Sequence, residues 1–325
     1  MNVKNLNMID LFSGAGGLTL GFIRQNFIPI ETIENWLDAI KTYNFNFKTN
    51  VIPKDITDEQ VIDHISKLDS ITDVVIGGFP CQGFSMAGKR SQNDPRNKLY
   101  KYTIDVIVKS KPRVFVLENV KGILSYKEDD NISVIQKIKN LLDENGYYIN
   151  YILLDASKFG VPQKRERVIF IGSQKENKKL VDLVIYNLKN TNLKSKTVKD
   201  AILDLENIQN NKIANHTITN HSVEMKERLL KIPEGKSLYK DYSDAFRKLY
   251  YDKPAYTVKE NHVGVHVHPT KGRVLTPREL ARLQSFPDNF IFLGTKSSVL
   301  KQIVNAVPVD LAEIIAKNVR KIFFE

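Results

Sequence analysis

The feature that most constrains the fold is an alternation of short apolar runs with segments of helical periodicity through the first 172 residues. The segments with apolar residues at helical spacing lie at 18–25, 37–46, 98–109 and 132–145. The apolar runs, which we interpret as strands, lie at 7–12, 28–33, 72–76, 113–117, 147–154 and 168–172, with a further possible strand at 51–55. This alternation predicts an open, parallel, doubly wound α/β sheet.

Polar and glycine residues follow the ends of these strands. They are the glycine turn at 13–17, Glu34, Asp55, Cys81 and Glu118. In a doubly wound sheet, ligands bind at the carboxyl edge of the strands, where the strand order switches. The sequence therefore predicts a nucleoside-like ligand at this edge, beside a thiol and a carboxylate.

The first strand, the turn at 13–17 and the following helix have the strand–turn–helix order that begins a nucleotide-binding fold, but they lack the complete Gly-x-Gly-x-x-Gly fingerprint. A pyrophosphate ligand is therefore less favoured than a nucleoside. Glu34 follows the glycines by about 20 residues, where nucleoside-binding folds place a carboxylate for ribose hydroxyls. Asp55 suits either a hydrogen bond from an exocyclic amine or the cap of a helix starting near Asp58.

Cys81 is the single cysteine of the chain and lies in the glycine-rich stretch 77–85, between Pro80 and Gln82. Two glycines after a strand allow a sharp turn, and Pro80 restricts the backbone just before the thiol. On the residues alone, both a small buried side chain and a reactive nucleophile remain open for Cys81.

The composition narrows the partners and the compartment. A net charge of +11 and a pI near 9.4 favour a polyanionic partner, and a hydrophobic content of 42% is enough for a core. A single cysteine excludes an internal disulfide framework and suits a reducing cytoplasm. The sequence has no signal-peptide pattern and no apolar run near the roughly 18 residues of a membrane span, so we expect no membrane association.

The pattern changes after Gly172. Residues 175–215 are rich in Lys and Asn and weakly periodic, 222–231 suits a helix, and 253–267 has a β-like pattern. Clear helices follow at 276–283 and 309–322. We therefore expect a catalytic and cofactor-binding domain at 1–174 plus 299–325, and a smaller, mainly irregular or β domain at 175–298.

Three histidines, His262, His266 and His268, are separated by even numbers of residues, so a strand would place all three on one face. No cysteine or acidic residue joins them at ligand spacing, so we predict no metal site. A DNA-contacting or half-buried strand explains them better.

Several of these motifs, in their order, resemble those of the bacterial DNA cytosine-5 methyltransferases. The chain differs from the family pattern at Val304, where a glycine is usual, and either Asn35 or Trp36 suits the residue that stacks on adenine. The matching motifs are residues 10–17, Glu34, Asp55-Ile56, Pro80-Cys81-Gln82, Glu118-Asn119-Val120, 163–167, 278–287 and Asn305-Ala306-Val307-Pro308.

The resemblance implies a Rossmann-like methyltransferase fold that uses S-adenosylmethionine, with the domain at 175–298 recognising the target. It implies Cys81 as the nucleophile, Glu118 as the donor to cytosine N3, Arg167 as the ligand of O2 and Arg165 as a brace of its loop. The implied cofactor residues are Phe12, Gly14, Gly16, Glu34, Asp55, Ile56, Pro80 and Asn305, and the implied DNA contacts are Gln82, Ser85 and Arg96.

The expected substrate is double-stranded DNA with the cytosine flipped out of the helix, and the expected setting is a restriction-modification system with a cognate endonuclease. We expect a monomer. Three alternatives stay open at this point: a tRNA cytosine-5 methyltransferase, an NAD-dependent dehydrogenase and a catalytically silent DNA-binding regulator. The dehydrogenase leaves Cys81, Glu118 and the two arginines unexplained.

Overall fold

The computed structural model describes residues 4–80, 98–128, 130–239, 245–259 and 266–324. Its centre is a six-stranded sheet with the strand order β2-β1-β3-β4-β6-β5. The six strands are β1 (Leu6–Leu11), β2 (Phe27–Ile33), β3 (Val74–Gly77), β4 (Val114–Val120), β5 (Tyr147–Asp155) and β6 (Glu166–Gln174). A second, two-stranded sheet pairs β7 (Arg247–Lys248) with β8 (His266–Val267).

Helices cover both faces of the large sheet. In chain order the α-helices are α1 (Gly17–Ile23), α2 (Leu37–Phe47), α3 (Glu59–Ser66), α4 (Leu99–Ser110), α5 (Val134–Glu144), α6 (Lys178–Asn190), α7 (Val198–Ile202), α8 (Val223–Lys231), α9 (Pro277–Leu283), α10 (Lys296–Asn305) and α11 (Val309–Lys321). Apolar side chains of α1, α6 and α11 pack on one face, and those of α3, α4 and α5 pack on the other. The result is a three-layer α/β unit, as the alternation of strands and helices predicts.

The strands alternate between the two cores because successive side chains of a strand point to opposite faces. On β4, Val114 and Val116 join the core with α1, α6 and α11, whereas Phe115 and Leu117 join the opposite core. These four side chains are at most 1% exposed. Burial on both faces explains why these strands are continuous apolar runs in the sequence.

The sheet is mixed rather than parallel. Strands β1 to β4 are parallel, but β6 is antiparallel to both β4 and β5. The turn that joins β5 to β6 spans residues 156–165 and holds no α-helix, so β6 returns beside β5 in the opposite direction. The prediction of a parallel sheet is therefore wrong at β6, and its consequence for the active site is described below.

Two segments differ from their predicted secondary structure. Residues 51–55 form no strand; the backbone N–H of Lys54 donates a hydrogen bond to the Glu34 carbonyl instead. Residues 175–215, in which the weak periodicity predicted no helix, contain the thirteen-residue helix α6. Val181, Val184 and Leu188 of α6 lie in the sheet core at four- and three-residue spacing, which the abundant lysines and asparagines obscure in the sequence.

The remaining segments form a smaller, less regular part of the molecule. The predicted β-like run at 253–267 contains, within its described residues, only the two-residue strand β8. The apolar core of this smaller part joins α7 and α9 to the β7 region and to α10, and the core also includes Ala15 of the glycine turn. The division of the chain at residues 174 and 299 stays a prediction.

None of the helices in the described segments combines the length and the apolarity needed to cross a bilayer.

Candidate active site

The register of the parallel strands aligns their carboxyl ends at one edge of the sheet. Leu11 pairs with Ile33 and with Gly77, and Gly77 pairs with Leu117. The residue after each of these positions therefore lies at the same edge, as the sequence predicts for the glycine turn, Glu34, the β3 loop and Glu118. This alignment builds the candidate active site.

Glu34 closes the glycine turn. Its Oε2 accepts a hydrogen bond from the backbone N–H of Gly14 at 2.8 Å. Its Oε1 accepts the backbone N–H groups of Asn35 at 2.9 Å and Trp36 at 2.8 Å. A carboxylate has about four acceptor positions, so these three bonds fix the group and leave capacity for a further donor such as a ribose hydroxyl.

The turn itself needs glycine at two positions. Gly14 has φ +54°, and a Cβ built there meets nothing within 4 Å, so the space beside it is open to a ligand. Gly16 has φ +95°, and its Cβ would lie 2.3 Å from the Phe47 ring. Phe12, just before the turn, also adopts a positive φ of 52°, a strained backbone for an aromatic residue.

Asp10 lies beneath the turn and ties three elements together. Its carboxyl group, 1% exposed on β1, accepts hydrogen bonds at Oδ2 from Thr19 Oγ1 on α1 at 2.5 Å and from the Tyr43 hydroxyl on α2 at 3.3 Å. Its Oδ1 has no partner among the described residues. Burial raises the pKa of Asp10 to about 7, against the two hydrogen bonds, and the Glu34 carboxylate adds to the rise.

Glu118 at the end of β4 pairs with Arg167 at the start of β6. The Arg167 Nε lies 2.7 Å from Glu118 Oε1, and both side chains are 13% exposed. Because β6 is antiparallel, its amino end lies at the carboxyl edge of β4, where Val120 pairs with Arg167. The reversal that the sequence did not predict is therefore what brings the arginine to the carboxylate.

The end of β3 is held next to Glu118. A Cβ on Gly78 would lie 3.1 Å from Glu118 Oε2, so glycine permits this close approach. The buried Asn119 side chain donates a hydrogen bond to the Phe79 carbonyl at 3.1 Å, which fixes the backbone just before the half-buried Pro80. Cys81, Gln82, Ser85 and Arg96 lie outside the described residues.

The other predicted cofactor residues differ in their surroundings. Asp55 is exposed, and its Oδ1 accepts hydrogen bonds from the backbone N–H and hydroxyl of Thr57. The cap of α3 is Asp58, which accepts the N–H of Gln60, so the capping alternative for Asp55 is wrong. Ile56 is 3% exposed in the sheet core, and Asn305 is exposed as the last residue of α10.

Arg165 braces the turn before β6. The side chain is 2% exposed and donates hydrogen bonds to the carbonyls of Val304 at 2.6 Å, Ala306 at 3.3 Å and Val258 at 3.3 Å. The first two carbonyls flank Asn305. Arg165 thus connects the arginine loop to the end of α10 and to the smaller part of the molecule.

Two buried glutamines, Gln163 and Gln284, complete this junction; both lie within matched motifs, but the sequence analysis gave them no role. The Gln163 side-chain amide donates to the Leu283 carbonyl and to Gln284 Oε1, both at 3.1 Å, and accepts the N–H of Val258 at 3.0 Å. Gln284 in turn donates to the Ile303 carbonyl at 2.9 Å. Both glutamines are 0% exposed, and their partners are distant in sequence, so no local pattern identifies them.

The histidines have a structural environment. His266 and His268 are 3% and 0% exposed, and His268 Nε2 lies 3.8 Å from the buried carboxylate of Glu279. Burial lowers the pKa of His268 to about 4 although Glu279 opposes the shift. The described pair is therefore buried rather than DNA-contacting, and His262 lies outside the described residues. Among those residues no cluster of His, Cys, Asp and Glu suits a metal ion.

A nucleoside cofactor fits the residues at this edge. The carboxylate of Glu34 is a hydroxyl acceptor, the space beside Gly14 is open, and Ser13 Oγ is buried without a partner among the described residues. The turn also lies at the same sheet edge as the Glu118 and Arg167 pair, with the end of β3 between them. These features suit a nucleoside ligand whose reactive group faces a second, polar substrate.

Comparison with known proteins identifies the family. The family model described as C-5 cytosine-specific DNA methylase matches residues 6–321. The chain is 37% identical to the Type II methyltransferase M1.HphI of Haemophilus parahaemolyticus, over 98% of this chain and 87% of that protein. It is 35% identical to the Type II methyltransferase M.FnuDI of Fusobacterium nucleatum, over 97% and 94%.

Solved structures agree with the fold. A protein named as a DNA modification methyltransferase of an E. coli prophage superposes with a TM-score of 0.83 at 30% identity, covering 99% of this chain and all of that chain. The S. pombe Dnmt2 methyltransferase has a TM-score of 0.66 at 15% identity, which supports the fold alone. The chain therefore belongs to the C-5 cytosine-specific DNA methylases, the S-adenosylmethionine-dependent enzymes that methylate cytosine at C5 in double-stranded DNA.

Proposed function

We propose that this chain methylates cytosine within one short DNA sequence and that the Glu118 and Arg167 pair holds the target base. The observation that carries the proposal is this ion pair at 2.7 Å, beside the end of β3 and at the same sheet edge as the glycine turn. The partly buried carboxyl and guanidinium groups offer one hydrogen-bonding group each to the N3 and O2 side of a cytosine.

Cys81 is the proposed nucleophile. Cytosine C5 is weakly nucleophilic, but addition of a thiolate to C6 converts the ring into an enamine that reacts at C5. After methyl transfer to C5, a base removes the C5 proton, the C5–C6 double bond re-forms, and the Cys81 sulfur leaves. The proposal for Cys81 rests on its sequence position after Pro80, and nearby arginines would favour the thiolate.

Glu118 and Arg167 act on the ring that Cys81 attacks. As the contact with Arg167 opens, the Glu118 carboxylate takes up a proton from solvent and donates a hydrogen bond to N3 while negative charge develops on the pyrimidine, and Arg167 donates to O2. Base entry exchanges their mutual contact for contacts with the base. Arg165 acts indirectly, because its three carbonyl partners hold the loop that carries Arg167.

S-adenosylmethionine supplies the methyl group when bound. The proposed cofactor residues include Glu34 for the ribose hydroxyls and Asp55 for the adenine amine. Trp36, half-buried beside Glu34, is the better partner for the adenine ring than the exposed Asn35. The remaining residues proposed to line the site are Phe12, Gly14, Gly16, Ile56, Pro80 and Asn305.

Reaction at C5 inside a duplex requires the target cytosine to leave the base stack, at a cost of a few kcal/mol. Gln82, Ser85 and Arg96 are proposed from the sequence to fill the gap or contact phosphate, and residues 175–298 are proposed to read the neighbouring bases. The setting we propose is cytoplasmic and a restriction-modification system, in which a monomeric enzyme protects sites cut by a cognate endonuclease.

The test compares wild type with Cys81→Ser for transfer of labelled methyl from S-adenosylmethionine to mixed-sequence DNA, followed by bisulfite sequencing. We expect label at C5 of cytosine in one short motif for wild type only, with cofactor affinity retained in the variant. Substantial methylation by Cys81→Ser contradicts the nucleophile assignment. The same transfer assay is repeated with tRNA as the methyl acceptor, and label in tRNA rather than in DNA favours the tRNA methyltransferase alternative.

A further inference from the structure

Trp36 is the single tryptophan of the chain and lies between Glu34 and the start of α2. Its backbone N–H is held by Glu34 Oε1 at 2.8 Å, so the residue is anchored to the carboxylate proposed to bind the ribose. A backbone bond fixes the position of the residue but not the orientation of its ring. The orientation of the ring needs a contact of its own.

Lys301 on α10 makes that contact. Its ammonium nitrogen lies 5.2 Å from the centroid of the Trp36 ring, within the range of a cation–π interaction. A tryptophan face attracts a cation more strongly than the faces of tyrosine or phenylalanine. The contact joins two segments that are 265 residues apart in the sequence.

The position of Lys301 is set by the docking of α10 on α2. Near the start of α10, Ser298 forms a side-chain hydrogen bond with Asp38, which lowers the pKa of that carboxyl group. Just before the helix, the N–H of Leu293 donates to Thr42 Oγ1 at 2.9 Å. Two separate contacts with α2 therefore fix the orientation of α10 before the chain reaches Lys301.

Ser298, Lys301 and Asn305 form one stripe on α10, since residues three and four apart share a helix face. The first contacts α2, the second lies over the Trp36 ring, and the third is the proposed cofactor residue. The stripe thus runs from the α2 contact along the tryptophan to the cofactor residue.

We infer that Lys301 is a positioning residue of the cofactor site, which holds the Trp36 ring by one face so that the other face stacks on the adenine. This inference rests on the proposed function. It takes the stacking role of Trp36 from that proposal and gives Lys301 an effect on the affinity for S-adenosylhomocysteine and S-adenosylmethionine that acts through the ring.

The test titrates S-adenosylhomocysteine into wild type, Lys301→Met and Lys301→Arg, with calorimetry and the emission of the single tryptophan as two readouts. We expect Lys301→Met to shift the emission of the free protein and to weaken affinity roughly three- to tenfold, because a cation–π contact is lost. Lys301→Arg keeps a cation over the ring and should remain within about twofold of wild type. Lys317→Met, an exposed lysine on α11, serves as the matched control with no change in either readout.

A double-mutant cycle separates an effect through the ring from a merely structural one. In a Trp36→Leu background, calorimetry should show no further loss of affinity from Lys301→Met. Equal losses in both backgrounds overturn the inference, and so does tighter binding by Lys301→Met, which would place the lysine on the face that adenine needs. The titration needs neither DNA nor methyl transfer, so a failure here is distinct from a failure of the Cys81 assignment.

Discussion

Replacing Asp10 by Asn should change how the stability of this protein depends on pH. The carboxyl group is 1% exposed, and its pKa is raised by burial from 3.8 to about 7. The folded protein therefore holds a proton that the unfolded chain releases between these two values. Stability from this group is fully present below pH 3.8 and is lost as the pH rises to about 7.

The size of the effect follows from the shift. One pKa unit corresponds to about 1.4 kcal/mol, so the ionisation of Asp10 lowers the free energy of unfolding by about 3 kcal/mol between pH 5 and pH 8. An Asn side chain keeps the shape of the neutral acid and an oxygen for Thr19 and Tyr43. The amide nitrogen of this Asn side chain would take the place of Oδ1, which has no partner among the described residues. Because a buried donor would then be unsatisfied, the free energy of unfolding of the variant is lower by roughly 1–3 kcal/mol at every pH.

The assay is urea unfolding of wild type and Asp10→Asn at pH steps from 5 to 8. The free energy of unfolding of the variant minus that of wild type should rise by about 3 kcal/mol from pH 5 to pH 8, whatever this difference is at pH 5. Asp63→Asn, which removes an exposed carboxyl group, should give curves parallel to wild type. Parallel curves for Asp10→Asn would refute the reasoning.

Three further predictions concern catalysis, stability and specificity. Glu118→Gln should lower the rate of methyl transfer roughly 10²- to 10⁴-fold, with little loss of DNA affinity in a filter-binding assay. The control Glu166→Gln, which changes an exposed carboxyl group, should alter neither the rate nor the affinity. Equal losses in rate and affinity for Glu118→Gln would argue for a structural role. Glu279→Gln leaves the buried Arg273 without its bidentate partner at 2.7 and 2.8 Å, so urea unfolding should show a loss of about 3–5 kcal/mol; a loss under 1 kcal/mol contradicts this. Exchange of residues 175–252 for those of a relative should change the methylated sequence found by bisulfite sequencing, and an unchanged sequence rejects the proposed domain division.

The buried junction shows how the two parts of the molecule depend on each other. Gln163 and Gln284 are satisfied only when the turn before β6, the end of α9 and the end of α10 are all in place. A buried amide without its partners costs free energy, so these segments stabilise one another. The junction therefore holds the strand that carries Arg167 in a fixed relation to Asn305.

Local patterns made much of the sheet predictable. Strands β1, β3 and β4 are largely buried on both faces and appear in the sequence as apolar runs, and the turn after β1 carries glycines where the backbone adopts a positive φ. The edge location of Glu34 and Glu118 followed from strand ends alone, because parallel strands in register align their carboxyl ends. Helix α6 was missed because its charged face hides three buried residues.

The sequence by itself determined the six strands of the large sheet, the motifs of the methylase family and the candidate residues of each motif. Only the tertiary structure decided that β6 runs antiparallel and so brings Arg167 to Glu118, that Gln163 and Gln284 join distant segments, and that Lys301 lies over Trp36. The physical reason is the range of the interactions. Periodicity and turn preferences act between neighbours in sequence, whereas ion pairs, buried amides and ring contacts form between residues that only the folded chain brings together.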